Sequence, residues 1–427
     1  MQKVSIITLG CSKNLVDSER LARQFSAAGF AVSFDSDDHA EIVIINTCGF
    51  ILDAKEESIA MILNAVNAKE QGSISELYVV GCLAERYADE LRKEIPEVDS
   101  YFGVKDIYAV LQKLHVQAQT SIMNERLVST PKHTAFLKIA EGCNRTCSFC
   151  AIPLIRGPHK SESLENLEQE SRFLVQSGAK ELSIISQDVS YYGIDIYGKN
   201  ALPELLNKLL SIDALEWIRL HYLYPNNFPL AVLDMMQQSD RICNYLDMPI
   251  QHISDSVLGA MRRGFSSENT YALLSEIRSR VPDITLRTTL IVGHPGETDK
   301  DFEQLRSFVE EFKFERLGVF TYSHEENTYA AEKFEDSIPL KVKQERADEL
   351  MLLQQDISLS KNSAMCGNVY KVLIDRIEGN VAVGRTQYDA YEVDNEVRIS
   401  DSSLSVGEFY SVKITEADLY DISGVIV

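Results

Sequence analysis

Short runs of β-branched residues alternate with amphipathic stretches in the first part of the chain. Buried strands are predicted at residues 4–9 (VSIITL), 41–46 (EIVIIN) and 77–80 (LYVV), which show no helical period. Between the first two of these strands, residues 15–30 repeat apolar side chains at helical spacing and reach Gly29, a residue type that commonly ends helices. This alternation predicts an α/β domain with a parallel sheet.

A second series of strand candidates fills the middle of the chain, after a polar stretch at residues 111–132 that indicates a crossing between domains. The segments between the candidates are long enough for helices, a repeat typical of an open or closed α/β barrel. A long polar helix is predicted at residues 340–359, with too few apolar residues for a core helix. The barrel strands are expected at residues 135–139, 182–185, 217–220, 245–248, 285–292 and 317–321.

The pattern changes again after Gly367. Short alternating segments with turn residues between them predict a small β-barrel or sandwich. A length of 427 residues also favours about three domains. We therefore expect an α/β protein in three parts: an N-terminal parallel-sheet domain at residues 1–125, a partial α/β barrel at residues 126–360 and a small β-barrel at residues 361–427.

Composition and charge restrict the function. Apolar residues make up 45% of the chain and charged residues 25%, which is typical of globular proteins and excludes extended disorder. With 42 basic and 64 acidic residues the net charge is −22, so a nucleic-acid partner would need a local basic patch. No signal peptide or membrane span is evident, and a soluble cytoplasmic protein is expected. In that reducing compartment the eight cysteines are interpreted as metal ligands or reactive thiols.

Three cysteines, Cys143, Cys147 and Cys150, lie in EGCNRTCSFC with C-x3-C-x2-C spacing. Three thiolates on one loop can hold three irons of a [4Fe–4S] cluster and leave the fourth iron open to a small chelating ligand. A zinc site that lacks a nearby fourth ligand, or three ordinary loop thiols, are the alternatives, but zinc favours four protein ligands. We call these residues the barrel trio.

The barrel trio resembles the signature of the radical S-adenosylmethionine (SAM) enzymes, including the aromatic Phe149 before the last cysteine. The resemblance implies a reduced cluster that cleaves SAM to methionine and a 5′-deoxyadenosyl radical inside a partial α/β barrel. It also implies that Ser186, Gln187, Asp188 and Gly293 line the SAM pocket, since each follows a predicted strand. A simple turn after a strand is the alternative for each of these four residues.

A second set of three cysteines is dispersed in sequence but equivalent in position. Cys11, Cys48 and Cys82 each follow a predicted strand and each is flanked by a glycine, at Gly10, Gly49 and Gly81. Loops at the carboxyl ends of parallel strands converge, so these thiols should meet and hold a second [4Fe–4S] cluster with one open iron. The alternative is that each is a small buried hydrophobe. We call these residues the N-terminal trio.

The combination resembles the radical SAM methylthiotransferase family over nearly the whole chain, notably in TLGCSKNLVDSE, EGCNRTCSFCAIP, LDMPIQH and IVGHPGET. The resemblance implies an N-terminal cluster domain, a radical SAM domain and a C-terminal β-barrel called a TRAM domain. The opening GCSKNLVDSE is similar to the branch that modifies an aspartate of small-subunit ribosomal protein number twelve. That branch uses two SAM molecules to make β-methylthio-aspartate, and a reductant such as flavodoxin or ferredoxin is implied.

Charge favours a protein substrate over RNA. From Gly367 onward the chain has five basic and 11 acidic residues, a poor platform for phosphates and a suitable one for a basic ribosomal protein. An acidic excess that only keeps the domain soluble is the alternative. A tRNA-adenosine methylthiotransferase and a non-catalytic iron–sulfur sensor or electron carrier stay open as other functions; no membrane partner is expected, and nucleic acid is disfavoured.

The remaining candidates are given no chemical role. Cys243 and Cys366 have no partner at ligand spacing and are interpreted as ordinary thiols. His221, His252 and His324 lie near the ends of predicted strands and are interpreted as structural histidines. No hydrolase triad, zinc-protease helix or phosphate loop is found in the sequence, and no catalytic side chain beyond the cluster ligands is assigned.

Overall fold

The first part of the chain folds into a parallel five-stranded sheet. The structure is a computed structural model and describes residues 2–35 and 40–427. The strand order is β2-β1-β3-β4-β5, and every pair is parallel. The central strand is buried along its whole length, as its uninterrupted apolar sequence requires. The strands are β1 (Lys3–Thr8), β2 (Ala31–Phe34), β3 (Ile42–Thr47), β4 (Glu76–Gly81) and β5 (Ser100–Phe102).

Helices cover both faces of this sheet and create two apolar cores. Leu21 and Phe25 of the first helix pack on one face, while Ile62 and Leu83 of the next two helices pack on the other. Three short 3-10 helices, at Val104–Asp106, Thr120–Ile122 and Val189–Tyr191, accompany the α-helices. The α-helices are α1 (Ser12–Ala27), α2 (Leu52–Glu70), α3 (Cys82–Glu94), α4 (Ala109–Lys113), α5 (Ile152–Arg156), α6 (Leu164–Gln176), α7 (Ile194–Tyr197), α8 (Leu202–Leu210), α9 (Ala231–Gln238), α10 (Asp255–Ala260), α11 (Ser267–Arg280), α12 (Asp299–Phe312), α13 (Tyr329–Lys333) and α14 (Leu340–Met365).

The middle of the chain forms a six-stranded parallel sheet in the order β13-β12-β11-β10-β9-β6. The predicted strands at residues 217–220 and 285–292 coincide with β10 and β12, and the other four are shifted by a few residues. The partial barrel is confirmed, with β6 and β13 as its edges. Its strands and a short antiparallel pair are β6 (Thr134–Lys138), β7 (Ala140–Glu141), β8 (Lys160–Ser161), β9 (Glu181–Ile185), β10 (Trp217–Leu220), β11 (Ile242–Asp247), β12 (Thr285–Val292) and β13 (Arg316–Thr321).

The long helix α14 corrects one expectation. It begins at the predicted residue but extends to Met365, and it packs on the barrel instead of standing apart. Ala347, Leu350 and Ile357 enter the main core, although the helix has few apolar residues. Its buried Lys343 and Arg346 are paired with acidic side chains, which is why a polar sequence can occupy an inner position.

The last part of the chain is the predicted small β-barrel, closed in the order β14-β15-β16-β18-β17. It rests on the barrel domain, where Phe409 meets Trp217 edge-to-face with ring centres 4.8 Å apart. The domain boundaries after residues 125 and 360 stay predictions. No helix among residues 2–35 and 40–427 combines the length and apolar character that a membrane crossing needs. The strands are β14 (Val369–Glu378), β15 (Val381–Arg385), β16 (Val397–Ile399), β17 (Phe409–Ala417) and β18 (Ile422–Ile426).

Candidate active site

The N-terminal trio stands at one edge of the first sheet. Cys11 lies between β1 and α1, Cys48 directly follows β3, and Cys82 opens α3 after β4. The strand order reverses between β1 and β3, and such a switch point in a parallel sheet leaves a crevice at the carboxyl ends of the strands. The topology therefore brings the three cysteine loops to one crevice.

These loops are packed so closely that two glycines have no room for a side chain. A Cβ atom on Gly10 would lie 2.7 Å from the Cβ of Cys48. Gly81 precedes Cys82 at a φ of 99°, and a Cβ atom there would lie 2.7 Å from the carbonyl oxygen of Thr47. A side chain at either position would push the cysteine loops apart.

Asn14, which the sequence analysis missed, ties the first two of these loops together. Its Nδ2 donates to the carbonyl oxygens of Leu9, at 2.9 Å, and Thr47, at 3.1 Å. Asn14 is fully buried, so both hydrogen bonds are shielded from water. Its position three residues after Cys11 was the only available signal, and nothing in that spacing identifies a loop-fastening residue.

The thiols of the N-terminal trio differ in burial: Cys11 is exposed, Cys48 is half-buried and Cys82 is buried. Burial raises the pKa of the Cys82 thiol to about 12; the guanidinium of Arg156 lowers it, and the neighbouring Cys11 and Cys48 raise it. Burial also raises the pKa of the Cys48 thiol, with a further contribution from Cys11. Burial is therefore the main influence on the Cys48 and Cys82 thiols, and the other cysteines of the trio act on both in the same direction.

Arg156 connects the N-terminal trio to the barrel trio. It is the last residue of α5, six positions after Cys150, and its Nη2 lies 3.6 Å from the Sγ of Cys82. Its Nη1 donates to Asp17 at 3.1 Å and to Glu141 at 2.9 Å, so one guanidinium joins the two domains. Cys82 also packs in one apolar cluster with Ala151, the residue after Cys150. The two trios therefore lie on either side of a shared domain interface.

The barrel trio occupies the loop after β7, beyond the carboxyl end of β6. The backbone folds tightly there, since the Cys150 amide donates to the Cys147 carbonyl oxygen at 3.2 Å and the Arg145 amide to the Cys143 sulfur at 3.4 Å. All three cysteines are half-buried. Burial raises the pKa of Cys143 to about 11 and that of Cys150 to about 12.

Cationic side chains surround the barrel trio. The Nη1 of Arg263 donates to the Sγ of Cys147 at 3.3 Å, and the hydroxyl of Tyr224 lies 3.9 Å from the same sulfur. Arg145 pairs with Asp188 at 2.7 Å, which fastens the cysteine loop to the chain after β9. Each trio thus has one arginine that donates to one of its sulfur atoms, an arrangement that suits thiolates of a cluster because hydrogen bonds to the sulfurs stabilise their negative charge.

A site for a single metal ion makes other demands on the protein than a cluster does. Within the part of the chain that the structure describes, no three histidine, cysteine or acidic side chains converge as one metal ion requires. A cubane cluster makes another demand on the protein, because each thiolate binds its own iron and the sulfur atoms stand farther apart.

The residues predicted to line the SAM pocket have varied surroundings. Ser186 and Asp188 are buried after β9, and Gln187 donates to Glu141 at 2.9 Å while its Oε1 has no partner among the described residues. Gly293 follows β12, and a Cβ atom there would lie 2.3 Å from the Cγ of Lys343. The close approach of α14 is sufficient to require a glycine at this position. Phe149 is half-buried inside the cysteine loop, and its role stays a prediction, as do those of the four pocket residues.

The cysteines and histidines to which the sequence assigns no chemical role lie in varied places. Cys243 is fully buried beside Trp217, and Cys366 is exposed at the end of α14. Burial lowers the pKa of His221, and it lowers that of His252 to about 3, so both imidazoles are neutral at pH 7. His324 is exposed.

Comparison with family models matches all three parts of the chain. Residues 3–103 match the "Uncharacterized protein family UPF0004", residues 137–309 match the "Radical SAM superfamily", and residues 366–427 match the "TRAM domain". Among solved structures, a TsrM methyltransferase from Kitasatospora setae aligns with a TM-score of 0.56 at 13% identity, covering 78% of this chain and 77% of that one. The cobalamin-dependent SAM radical enzyme OxsB aligns with a TM-score of 0.51 at 13% identity, covering 84% and 56%. These two likenesses concern the fold alone.

The parallel barrel with a three-cysteine loop at its carboxyl edge defines a radical SAM enzyme, whose cofactors are a [4Fe–4S] cluster and SAM. Full-length relatives narrow the class. A protein from Bacteroides thetaiotaomicron is 52% identical over 99% of this chain and 97% of its own length, and one from Porphyromonas gingivalis is 51% identical over 100% and 99%. Both carry the name "Ribosomal protein uS12 methylthiotransferase RimO". The chain belongs to the RimO family of radical SAM methylthiotransferases.

Proposed function

We propose that this enzyme attaches a methylthio group to the β-carbon of an aspartate in ribosomal protein uS12, using SAM and two [4Fe–4S] clusters. The observation that carries the proposal is the contact between Cys82 and the segment after the barrel trio: Cys82 packs against Ala151, and Arg156 reaches its sulfur from the end of α5. A sulfur donor and a radical source must act on one substrate atom, so they must share a cavity. The name of the full-length relatives supplies the substrate.

The residues present fit both clusters. Each trio offers three thiols and no fourth cysteine, so one iron of each cluster would stay open for a ligand. The barrel trio would hold the cluster that binds SAM, and the N-terminal trio would hold the second cluster. When bound, the first cluster supplies the electron that cleaves SAM reductively, and the second supplies the sulfur. An electron donor such as flavodoxin or ferredoxin is part of this proposal.

The chain's own task is to hold the two sites at a fixed separation. On one side Arg156 joins the domains through Asp17 and Glu141. On the other side Glu325, from the chain after β13, accepts from Arg86 at 2.8 Å and from Lys55 at 3.0 Å. These pairs fasten the N-terminal domain to the barrel domain at two places. We call the space between the two trios the gap.

The TRAM barrel lies away from this gap. Its Arg385 and Asp389 bind Glu181 and Arg316, which are the first residues of β9 and β13, whereas the cysteines lie at the carboxyl ends of their sheets. A uS12 molecule that contacts the TRAM barrel would extend along the side of the barrel domain to bring its aspartate to the gap. The acidic excess of the TRAM domain supports attraction of a basic protein at this distance. Because ribosomal proteins are made in the cytoplasm, we place the enzyme there.

Reconstituted enzyme, incubated anaerobically with SAM, dithionite and uS12, tests the proposal. We expect uS12 to gain the mass of one methylthio group in place of one hydrogen, with SAM cleaved to 5′-deoxyadenosine. Cys82→Ala should still cleave SAM but transfer no sulfur, whereas Cys147→Ala should do neither, and Cys243→Ala serves as the matched control. A mass gain on tRNA but not on uS12, or no SAM cleavage at all, would overturn the assignment.

A further inference from the structure

Lys13 is a largely buried lysine that has no acidic partner among the residues that the structure describes. It is more than nine-tenths buried, with 7% of its surface exposed. It lies in the first turn of α1, where a positive charge opposes the helix dipole and where no acidic residue accompanies it. Its ammonium makes no hydrogen bond or ion pair with any residue in the ranges 2–35 and 40–427. Its Nζ is not among the buried atoms that lack a hydrogen bond, so the ammonium keeps some contact with solvent and an anion can reach it.

The one contact of the Lys13 ammonium is aromatic. Its Nζ lies 3.0 Å above the centre of the Tyr222 ring. Tyr222 follows β10 with a φ of 55°, so its backbone is held in a conformation that tyrosine rarely adopts. A ring face attracts a cation but offsets only part of the loss of its hydration. The Tyr222 ring therefore orients an ammonium that an anion can still reach.

The position of Lys13 indicates which anion could bind its ammonium. It lies two residues after Cys11 of the N-terminal trio. Its aromatic partner Tyr222 lies two residues before Tyr224, whose hydroxyl is 3.9 Å from the Sγ of Cys147 of the barrel trio. Lys13 thus reaches from one cysteine loop to the loop that borders the other. An anion bound to it would be placed in the gap between the two trios.

We infer that Lys13 binds the side-chain carboxylate of the aspartate that is modified. This inference rests on the proposed function and adds the residue that seats the substrate. The aspartate carboxylate is one bond from its β-carbon, so pairing it with Lys13 places that carbon in the gap. The carboxylate of SAM is the less suitable partner, because the open iron of the barrel trio is its expected ligand.

A double-mutant cycle between enzyme and substrate tests the inference. Reconstituted wild type, Lys13→Met and Lys13→Arg are titrated with uS12 that carries either the natural aspartate or asparagine at the modified position, and the Kd is measured. We expect Lys13→Met to weaken binding of natural uS12 at least tenfold and to have no further effect on the asparagine form. Lys13→Arg should keep most of the affinity. Lys69→Met, at the far end of α2 and paired with Asp99, is the matched control and should bind like wild type.

The outcomes separate this inference from the proposed function. If wild type never modifies uS12, the proposed function fails. If it does modify uS12 but Lys13→Met binds both forms as wild type does, only the role of Lys13 fails. Loss of iron or of SAM binding in Lys13→Met, with unchanged affinity for uS12, would also overturn it. If Lys13→Met does not fold, the affinities of wild type and Lys13→Arg for the aspartate and asparagine forms of uS12 are compared instead. Equal affinity for the two forms would contradict the binding of the aspartate carboxylate by Lys13.

Discussion

Arg385 holds the TRAM barrel on the radical SAM domain, and its replacement by methionine is the sharpest test of that interface. The side chain is fully enclosed at the end of β15. It donates to Glu181 at 2.7 Å and to both oxygens of Asp375, at 2.7 and 3.0 Å. Arg385→Met keeps the length of the side chain but removes the positive charge from between these two carboxylates.

The expected cost follows from what the substitution leaves behind. Glu181 is still paired with Arg219, and Asp375 is still hydrogen-bonded to His133, so each carboxylate retains one partner. Breaking a buried ion pair by removing one partner nevertheless costs about 3–5 kcal/mol. A domain is stabilised by only about 5–15 kcal/mol in total. Asp375 belongs to the TRAM barrel and Glu181 to the barrel domain, so Arg385→Met should remove a large part of the free energy that stabilises the TRAM barrel together with its attachment.

The chain's single tryptophan reports on this interface directly. Trp217 packs edge-to-face on Phe409 of the TRAM barrel, so separation of the domains changes its environment. Urea unfolding followed by its fluorescence should show the transition of Arg385→Met shifted by about 3–5 kcal/mol. The control is Arg376→Met, since Arg376 is exposed and its pairs with Glu378 and Glu396 should be worth less than about 1 kcal/mol. Equal shifts for the two variants would refute the reasoning.

Three further outcomes are expected. Burial alone would raise the pKa of Glu181, but Arg385 and Arg219 lower it to about 2, and Arg385 also lowers the pKa of Asp375. Because both carboxylates must stay ionised, the interface should be stable above about pH 4.5 and weaken as the pH falls toward 2. Trp217 fluorescence measured against pH checks this. Arg86→Met breaks a buried pair with Glu325 and should lower the stability of the contact between the two domains by about 3 kcal/mol, seen as faster hydrogen exchange in α3. Unchanged exchange would contradict a role of this pair in holding the domains together. Cys243→Ser should leave the iron content unchanged, and a loss would show that this buried thiol has a role in cluster binding.

The sequence predicts the parts of the fold that depend on local pattern. The strands at residues 217–220 and 285–292 were found where their apolar runs place them, and all six cysteines of the two trios follow strands or lie in the expected loop. The short outer strands β2 and β5 were missed. Each has few residues and little apolar alternation, so neither carries a strong periodic signal.

Local sequence patterns do not predict contacts between residues that are far apart in the sequence. Arg156 meets Asp17 across 139 positions, and only the folded domains bring the two together. Lys13 is an ordinary charged residue in the sequence, and its burial against Tyr222 emerges from the approach of two domains. The place of the TRAM barrel at the amino ends of the barrel strands also depends on pairs such as Arg385 and Glu181, which no local rule relates.

The central claim, that the two trios hold separate clusters, is tested most directly by counting iron after anaerobic reconstitution. Wild type should bind about eight irons per chain, and about four should remain when either trio is replaced by alanines, because each cluster has four. The surviving cluster should keep its own electron paramagnetic resonance signal in each variant. About four irons in the wild type, or an unchanged count after loss of Cys11, Cys48 and Cys82, would contradict the account.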